Sequence, residues 1–188
     1  TAKLFADPFG LAIASDGTTY VTDGAGGHRI YRISPTREIT AFVGGTEGFA
    51  DGAGASARFS TPSGLALDMR GVLYVADSGN NAIRRVTSDG IVSTVATGLN
   101  GPTGVVVDPS GRLLVTDTYN DRIAIIDGGG VSTLANSTAL DTPTGIALDR
   151  GGTVFVADTG NNAIQAIAPG GVVSTLDSSD VGTYDRPV

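Results

Sequence analysis

Four times along this chain a short apolar run ends in an aspartate: YVTD at 20–23, YVAD at 74–77, LVTD at 114–117 and FVAD at 155–158. Ahead of each lies another run, apolar at nearly every position, within LAIA, LALD, VVVD and IALD. Behind each come a third run, such as AIRRV at 82–86, and, after a Gly-containing turn, a fourth, such as IVSTVA at 91–96. Runs of this length bounded by Gly, Asn, Asp and Pro are the pattern of β-strands joined by tight turns. The chain is therefore predicted to be all-β, in four units of four strands.

The units keep fixed offsets. Pro8, Pro62, Pro102 and Pro143 open them at separations of 54, 40 and 41 residues, and Pro187 follows after 44. Two residues past each opening Pro stands Gly10, Gly64, Gly104 or Gly145; nine past it a turn glycine, Gly17, Gly71, Gly111 or Gly152; fifteen past it Asp23, Asp77, Asp117 or Asp158. A period near 40 is that of four-stranded propeller blades. The first strand, apolar throughout, suits burial on both faces, whereas the fourth, reading VSTV, VSTL or VVSTL, suits an outer edge. One such sheet cannot bury both faces alone, so the units must stack, and a radial arrangement leaves only short edges. Blades are expected at about 8–43, 62–96, 102–135 and 143–176, with an insertion at 44–60. Segments 1–7 and 177–188 are expected to belong to partial flanking blades or to ring closure. The four Asp and the Asn after them are expected to close turns, because Asp accepts from N–H groups ahead of it and Gly and Asn tolerate positive φ.

Composition narrows the partners. With 28 Gly, 8 Pro and 40% apolar residues, and no collagen period, the 188-residue chain reads as globular and rich in turns. The net charge is −7 and only one of the twelve basic residues is Lys, so the footprint of a nucleic-acid binder is missing. A local patch from Arg84, Arg85, Arg112 and Arg122 is the one counter-reading. No Cys means no disulfide framework and no thiolate metal site. No apolar run approaches the length of a membrane span. The start at Thr1, without a signal pattern, suggests a mature or excised segment.

The runs PSGLALD, GVLYVAD and SGNNAIRRV, and again PTGIALDRGGTVFVADTGNNAI, resemble the NHL repeat. The resemblance covers residues 8 to 176 and implies a β-propeller of four-stranded antiparallel blades, here four NHL-like repeats of a ring that usually has six. The first copy departs most, with Ala14 where the others have Asp68, Asp108 and Asp149, and one extra residue in its GAGGH turn. Four copies imply a fragment, a four-bladed ring, or a homo-oligomer that completes the propeller. The Ala, Gly, Thr and Arg bias suggests a bacterial protein, and the resemblance implies export, to the periplasm, cell surface or medium.

Strand alternation puts the turns between second and third strands on the same side as the blade connections, and loops on a rigid scaffold are where binding residues concentrate. The candidate binding residues are therefore Phe49, Arg58 and Phe59 in the insertion, Tyr119 and Arg122 at the third unit's turn, and His28, the lone histidine. Phe59 reads first as a plug between blades and second as part of a recognition loop. Tyr119 stands where other copies have Gly, so no turn requirement explains it. His28 lacks a visible base or ligand partner. The leading function is a non-enzymatic scaffold presenting these loops to a protein, peptide or glycan, as the family resemblance implies, with no cofactor. The alternative is a lactonase-like propeller hydrolase or lyase. One His and no nucleophile constellation count against it, although Asp68, Asp108 and Asp149 could hold Ca²⁺ by oxygen ligands if they do not cap turns. An RNA-binding NHL domain is the third reading, opposed by the acidic balance.

Overall fold

The computed structural model of the chain describes residues 4–128, 130–135 and 139–176. The expected flanking segment 177–188 lies outside the described residues, as do residues 1–3 of the segment 1–7.

The chain folds into four antiparallel blades. Blade 1 is β1 (Pro8–Ile13), β2 (Thr19–Asp23), β3 (Arg29–Ile33) and β4 (Ile39–Gly44). A two-residue strand, β5 (Gly52–Ala53), comes from the insertion. Blade 2 is β6 (Pro62–Leu67), β7 (Leu73–Asp77), β8 (Ala82–Val86) and β9 (Ile91–Ala96). Blade 3 is β10 (Pro102–Val107), β11 (Leu113–Asp117), β12 (Arg122–Asp127) and β13 (Gly130–Ala135). Blade 4 is β14 (Pro143–Leu148), β15 (Val154–Asp158), β16 (Ala163–Ile167) and β17 (Val173–Leu176). Each sheet keeps sequence order, and β5 adds a fifth strand outside β9. The helical content among the described residues is three single 3-10 turns, too short to cross a membrane.

The fixed offset from Pro to Asp is a register. Pro8 opposes Asp23, Pro62 opposes Asp77, Pro102 opposes Asp117 and Pro143 opposes Asp158, with a bulge just after each Pro. Fifteen residues is the length needed to run along the inner strand, turn and return. The turn itself is closed by Gly17, Gly71, Gly111 and Gly152 at φ between 77° and 87°, a conformation that side chains resist.

Adjacent blades meet through three apolar cores. Tyr20, Ile30 and Val43 of blade 1 pack on Leu65, Val75 and Val86 of blade 2. Ala76 and Ile83 meet Val105, Leu113 and Val115; Leu114 and Ile123 meet Val154, Val156 and Ile167. A single apolar residue on each connection, Phe59, Leu99 or Leu140, is buried in these seams. The inner strands come so close that a Cβ on Gly10, Gly64 or Gly104 would meet the next blade's backbone oxygen within 2.7 Å. Close backbone approach, rather than turn geometry, is why the second residue after Pro8, Pro62 and Pro102 is glycine.

The two outermost faces have no cover among the described residues. Ile30, Ile83 and Ile123 are fully buried, whereas Ile164, at the same position of blade 4, is 45% exposed. On the opposite face Leu65 and Val105 are buried, whereas their counterpart Leu11 is 67% exposed.

Candidate functional site

The connections between blades and the turns after β2, β7, β11 and β15 lie together on one face, held by two recurrent hydrogen bonds. Oδ1 of each strand-end Asp accepts the N–H of the residue seventeen positions earlier: Ser60 to Asp77 at 2.8 Å, Asn100 to Asp117 at 2.6 Å, Asp141 to Asp158 at 2.7 Å, and Ala6 to Asp23 at 3.0 Å. This differs from the expected turn closure by N–H groups ahead of each Asp. The carboxylate reaches back to the incoming connection, whose donors have no strand partner.

The next N–H along each connection goes to the preceding blade. Thr61 donates to Nδ1 of His28 at 3.2 Å, Gly101 to Oδ1 of Asn81 at 2.8 Å, and Thr142 to Oδ1 of Asp121 at 2.8 Å. The accepting residues all adopt left-handed backbone, with φ of 47°, 53° and 51°. His28 thus stands in an Asn position, largely buried at the side chain and acting as an acceptor, so its proton sits on Nε2, which faces Glu47 at 3.9 Å. Each junction is a dipeptide whose two N–H groups bind two different blades.

Oδ2 of the strand-end Asp collects side-chain donors. Asp77 takes Asn80 at 2.9 Å and Arg84 at 2.8 Å; Asp117 takes Asn120 at 2.9 Å and Arg122 at 2.7 Å; Asp158 takes Asn161 at 2.8 Å and Gln165 at 3.0 Å. Arg122 also reaches Thr133, so it braces blade 3. Burial pushes the Asp77 carboxyl up from the usual range, against the bonds from Asn80, Ser60 and Arg84 that favour its charged form.

Arg84 organises the insertion. Fully buried, it donates Nη1 to Asp77 and to the carbonyl of Arg58, and Nη2 to the carbonyl of Ala50 and to Asp51. Its guanidinium lies 4.8 Å from the Phe49 ring centre and 5.1 Å from that of Phe59, a cation between two aromatic rings. Its Nε is the one buried side-chain donor without a partner among the described residues. Asp51 also takes the Thr94 N–H and hydroxyl, which with Arg84 outweigh its desolvation and hold its carboxyl below the usual range. Residues 44–60 are thereby strapped along the outer edge of blade 2. The sequence did carry a signal for Arg84: consecutive strand residues face opposite sides, so one of Arg84 and Arg85 had to point into a seam.

The predicted site residues separate accordingly. Phe59 is fully buried and His28 latches a connection. Arg122 is engaged with Asp117. Phe49, 53% exposed, caps Arg84 from outside, and the Arg58 side chain is exposed beside Gly48. Tyr119, 67% exposed, lies against Gly101, where a Cβ would fall 2.4 Å from its ring. Phe49, Arg58 and Tyr119 are thus the ones that present surface.

The carboxylates considered for Ca²⁺ serve turns between first and second strands. Oδ1 of Asp68 accepts the N–H groups of Arg70 and Val72; Asp108 serves Ser110 and Arg112; Asp149 serves Thr153. Arg112 Nε adds an ion pair to Asp108 at 2.7 Å. In blade 1, where Ala14 replaces this Asp, Asp16 accepts from Thr18 instead.

Comparison with known proteins agrees with this architecture. The NHL repeat family matches residues 59–86, 99–126 and 140–167. An 85-residue stretch is 39% identical to Protein SUPPRESSOR OF QUENCHING 1, chloroplastic, of Arabidopsis thaliana, covering 44% of this chain and 8% of that protein. Among solved structures, a chain of the nidogen–laminin complex is 27% identical with a TM-score of 0.75, over 90% of this chain and 64% of that one. Virginiamycin B lyase of Staphylococcus aureus is 21% identical with a TM-score of 0.70, over 90% and 55% of the two chains. A gluconolactonase-like structure is 17% identical with a TM-score of 0.70, over 93% and 64%. These last two likenesses concern the fold. With three NHL repeats matched, and blade 1 built on the same Pro–Asp register and a comparable latch, this chain is a four-bladed β-propeller of NHL-type repeats.

Proposed function

We propose that this chain is a non-enzymatic binding scaffold that presents the blade-connection face to a protein, peptide or glycan, with Phe49, Arg58 and Tyr119 as contact residues. The observation that supports it is the exposure of Phe49 and Tyr119 on backbone that is otherwise tightly tied down. Aromatic and Arg side chains held rigidly at a surface lose little entropy on contact and dominate interface hot spots. A neighbour from a protein–protein complex is in keeping with this reading. The hydrolase or lyase reading draws only on likeness of fold, which does not carry function.

The test is a screen of displayed peptides and of a glycan array against the parent chain and a Phe49→Ala/Tyr119→Ala variant. Ligands bound by the parent and weakened about tenfold or more in the variant support the reading. A set of ligands indifferent to the variant, or no ligand at all, overturns it.

A further inference from the structure

The strand-end carboxylate of blade 1 lacks what its three counterparts have. Oδ2 of Asp77, Asp117 and Asp158 each receives two side-chain donors at 2.7–3.0 Å. Oδ2 of Asp23, with the residue only 1% exposed, receives among the described residues just a shared backbone N–H from Ala6 at 3.1 Å. The sequence explains the difference. Gly27 stands where the other copies carry the Asn that donates to Oδ2, and Tyr31 occupies the position of Arg84, since it pairs with Val21 as Arg84 pairs with Val75. Arg29, at the position of Arg122, turns its Nε to the carbonyl of Gly27 at 3.2 Å instead of to the carboxylate.

The missing donors leave space. Phe5, Asp23, Gly26, Gly27, Arg29 and Tyr31 line a pocket of about 310 Å³, at the lower end of the range of small-ligand sites. Its aromatic wall is Phe5 edge-on to Tyr31, with ring centres 4.9 Å apart. Phe5 precedes Asp23 by the same eighteen residues that separate Phe59 from Asp77. Blade 2 thus shows what this acid and ring accept: a guanidinium, with Nη1 2.8 Å from Asp77 Oδ2 and Cζ 5.1 Å from the Phe59 ring.

From this we infer that the blade 1 pocket binds a guanidinium supplied by a ligand, the side chain of an arginine in an incoming peptide, in the place that Arg84 fills internally in blade 2. A buried carboxylate short of donors gains most from a charged, multidentate one. Arg29 opposes this charge from the pocket rim, 5.7 Å from the Tyr31 ring centre, and is restrained there by the carbonyls of Gly27 and Gly45. The site is independent of the Phe49 and Tyr119 surface, so either can fail without the other.

The test is titration of the chain with N-acetyl-arginine amide, followed by amide chemical shifts, with N-acetyl-citrulline amide as the uncharged isostere. The expected result is saturable shifts centred on residues 23–31, with citrulline at least about tenfold weaker. Tyr31→Arg supplies the guanidinium internally and is expected to abolish binding, while Arg29→Ala tightens it. Absence of saturable shifts, equal binding of citrulline, or undiminished binding by a folded Tyr31→Arg chain overturns the inference. Should that variant not fold, the citrulline comparison decides alone.

Discussion

Arg84 and Asp77 form an ion pair in which both side chains are fully buried, joined at 2.8 Å. Removing one partner of such a pair strands the other charge. Arg84→Ala is therefore expected to cost about 3–5 kcal/mol and to release the insertion, seen as a lower denaturant midpoint and as proteolytic cleavage within 44–60. Arg84→Gln should cost clearly less, because Gln165 serves Asp158 from the same position in blade 4. Equal losses in both variants would show that charge, not donation, holds the site.

The same side chain at two places in the stack has two expected costs. Ile83→Ala opens a cavity in a closed seam and should lose about 2–5 kcal/mol, while Ile164→Ala, on the uncovered face of blade 4, should lose less than about half of that. Urea unfolding of the pair checks it; similar losses would mean that the blade 4 face is covered in solution.

His28 is expected to be replaceable by Asn at little cost, within about 0.5 kcal/mol, since Asn81 does the same work at the same φ. His28→Ala should lose about 1–3 kcal/mol, because the Thr61 N–H loses its acceptor and the left-handed backbone is no longer favoured. Thermal unfolding of the two variants separates these outcomes.

Asp108 gives a pH prediction. Desolvation would raise its carboxyl, but bonds from Ser110 and Arg112 together hold it below the ordinary range. A depressed folded-state pKa contributes stability above the unfolded value, near about 4, which disappears as pH falls through the folded value. Asp108→Asn should therefore be less stable than the parent at pH 7, with the gap closing on acidification below about pH 4. A gap that persists in acid would mean the side chain works as a neutral acceptor.

Strand number, strand order and the Pro–Asp register were legible because each rests on local chemistry copied four times. The turn glycines, Gly71 among them, sit at the φ that their spacing implied. The destination of each Asp was not legible. Asp77 bonds to Ser60 across a sheet and a connection, and an Asx residue before Gly-Asn-Asn announces only a local turn. β5 was hidden for another reason: Gly52 and Ala53 carry no strand preference, and their pairing follows from the free edge of β9 and from Asp51 reaching Thr94. Tyr119 lies exposed against Gly101, and Phe59 is buried in the seam in line with its first reading, whereas the latch at His28 was hidden because nothing in the GAGGH turn marks that residue as standing in an Asn position.

The split dipeptides at the junctions also decide where this protein can be lengthened. Ser60 and Thr61 each bind a different blade, so one residue added between Phe59 and Pro62 would break a bond on one side or the other. Upstream of Phe59 lies the natural insertion, whose ties run to Arg84 and β9 of blade 2 and leave the junction dipeptide unchanged. The stretch before Leu99 is the matching place to graft a foreign loop without disturbing the stack.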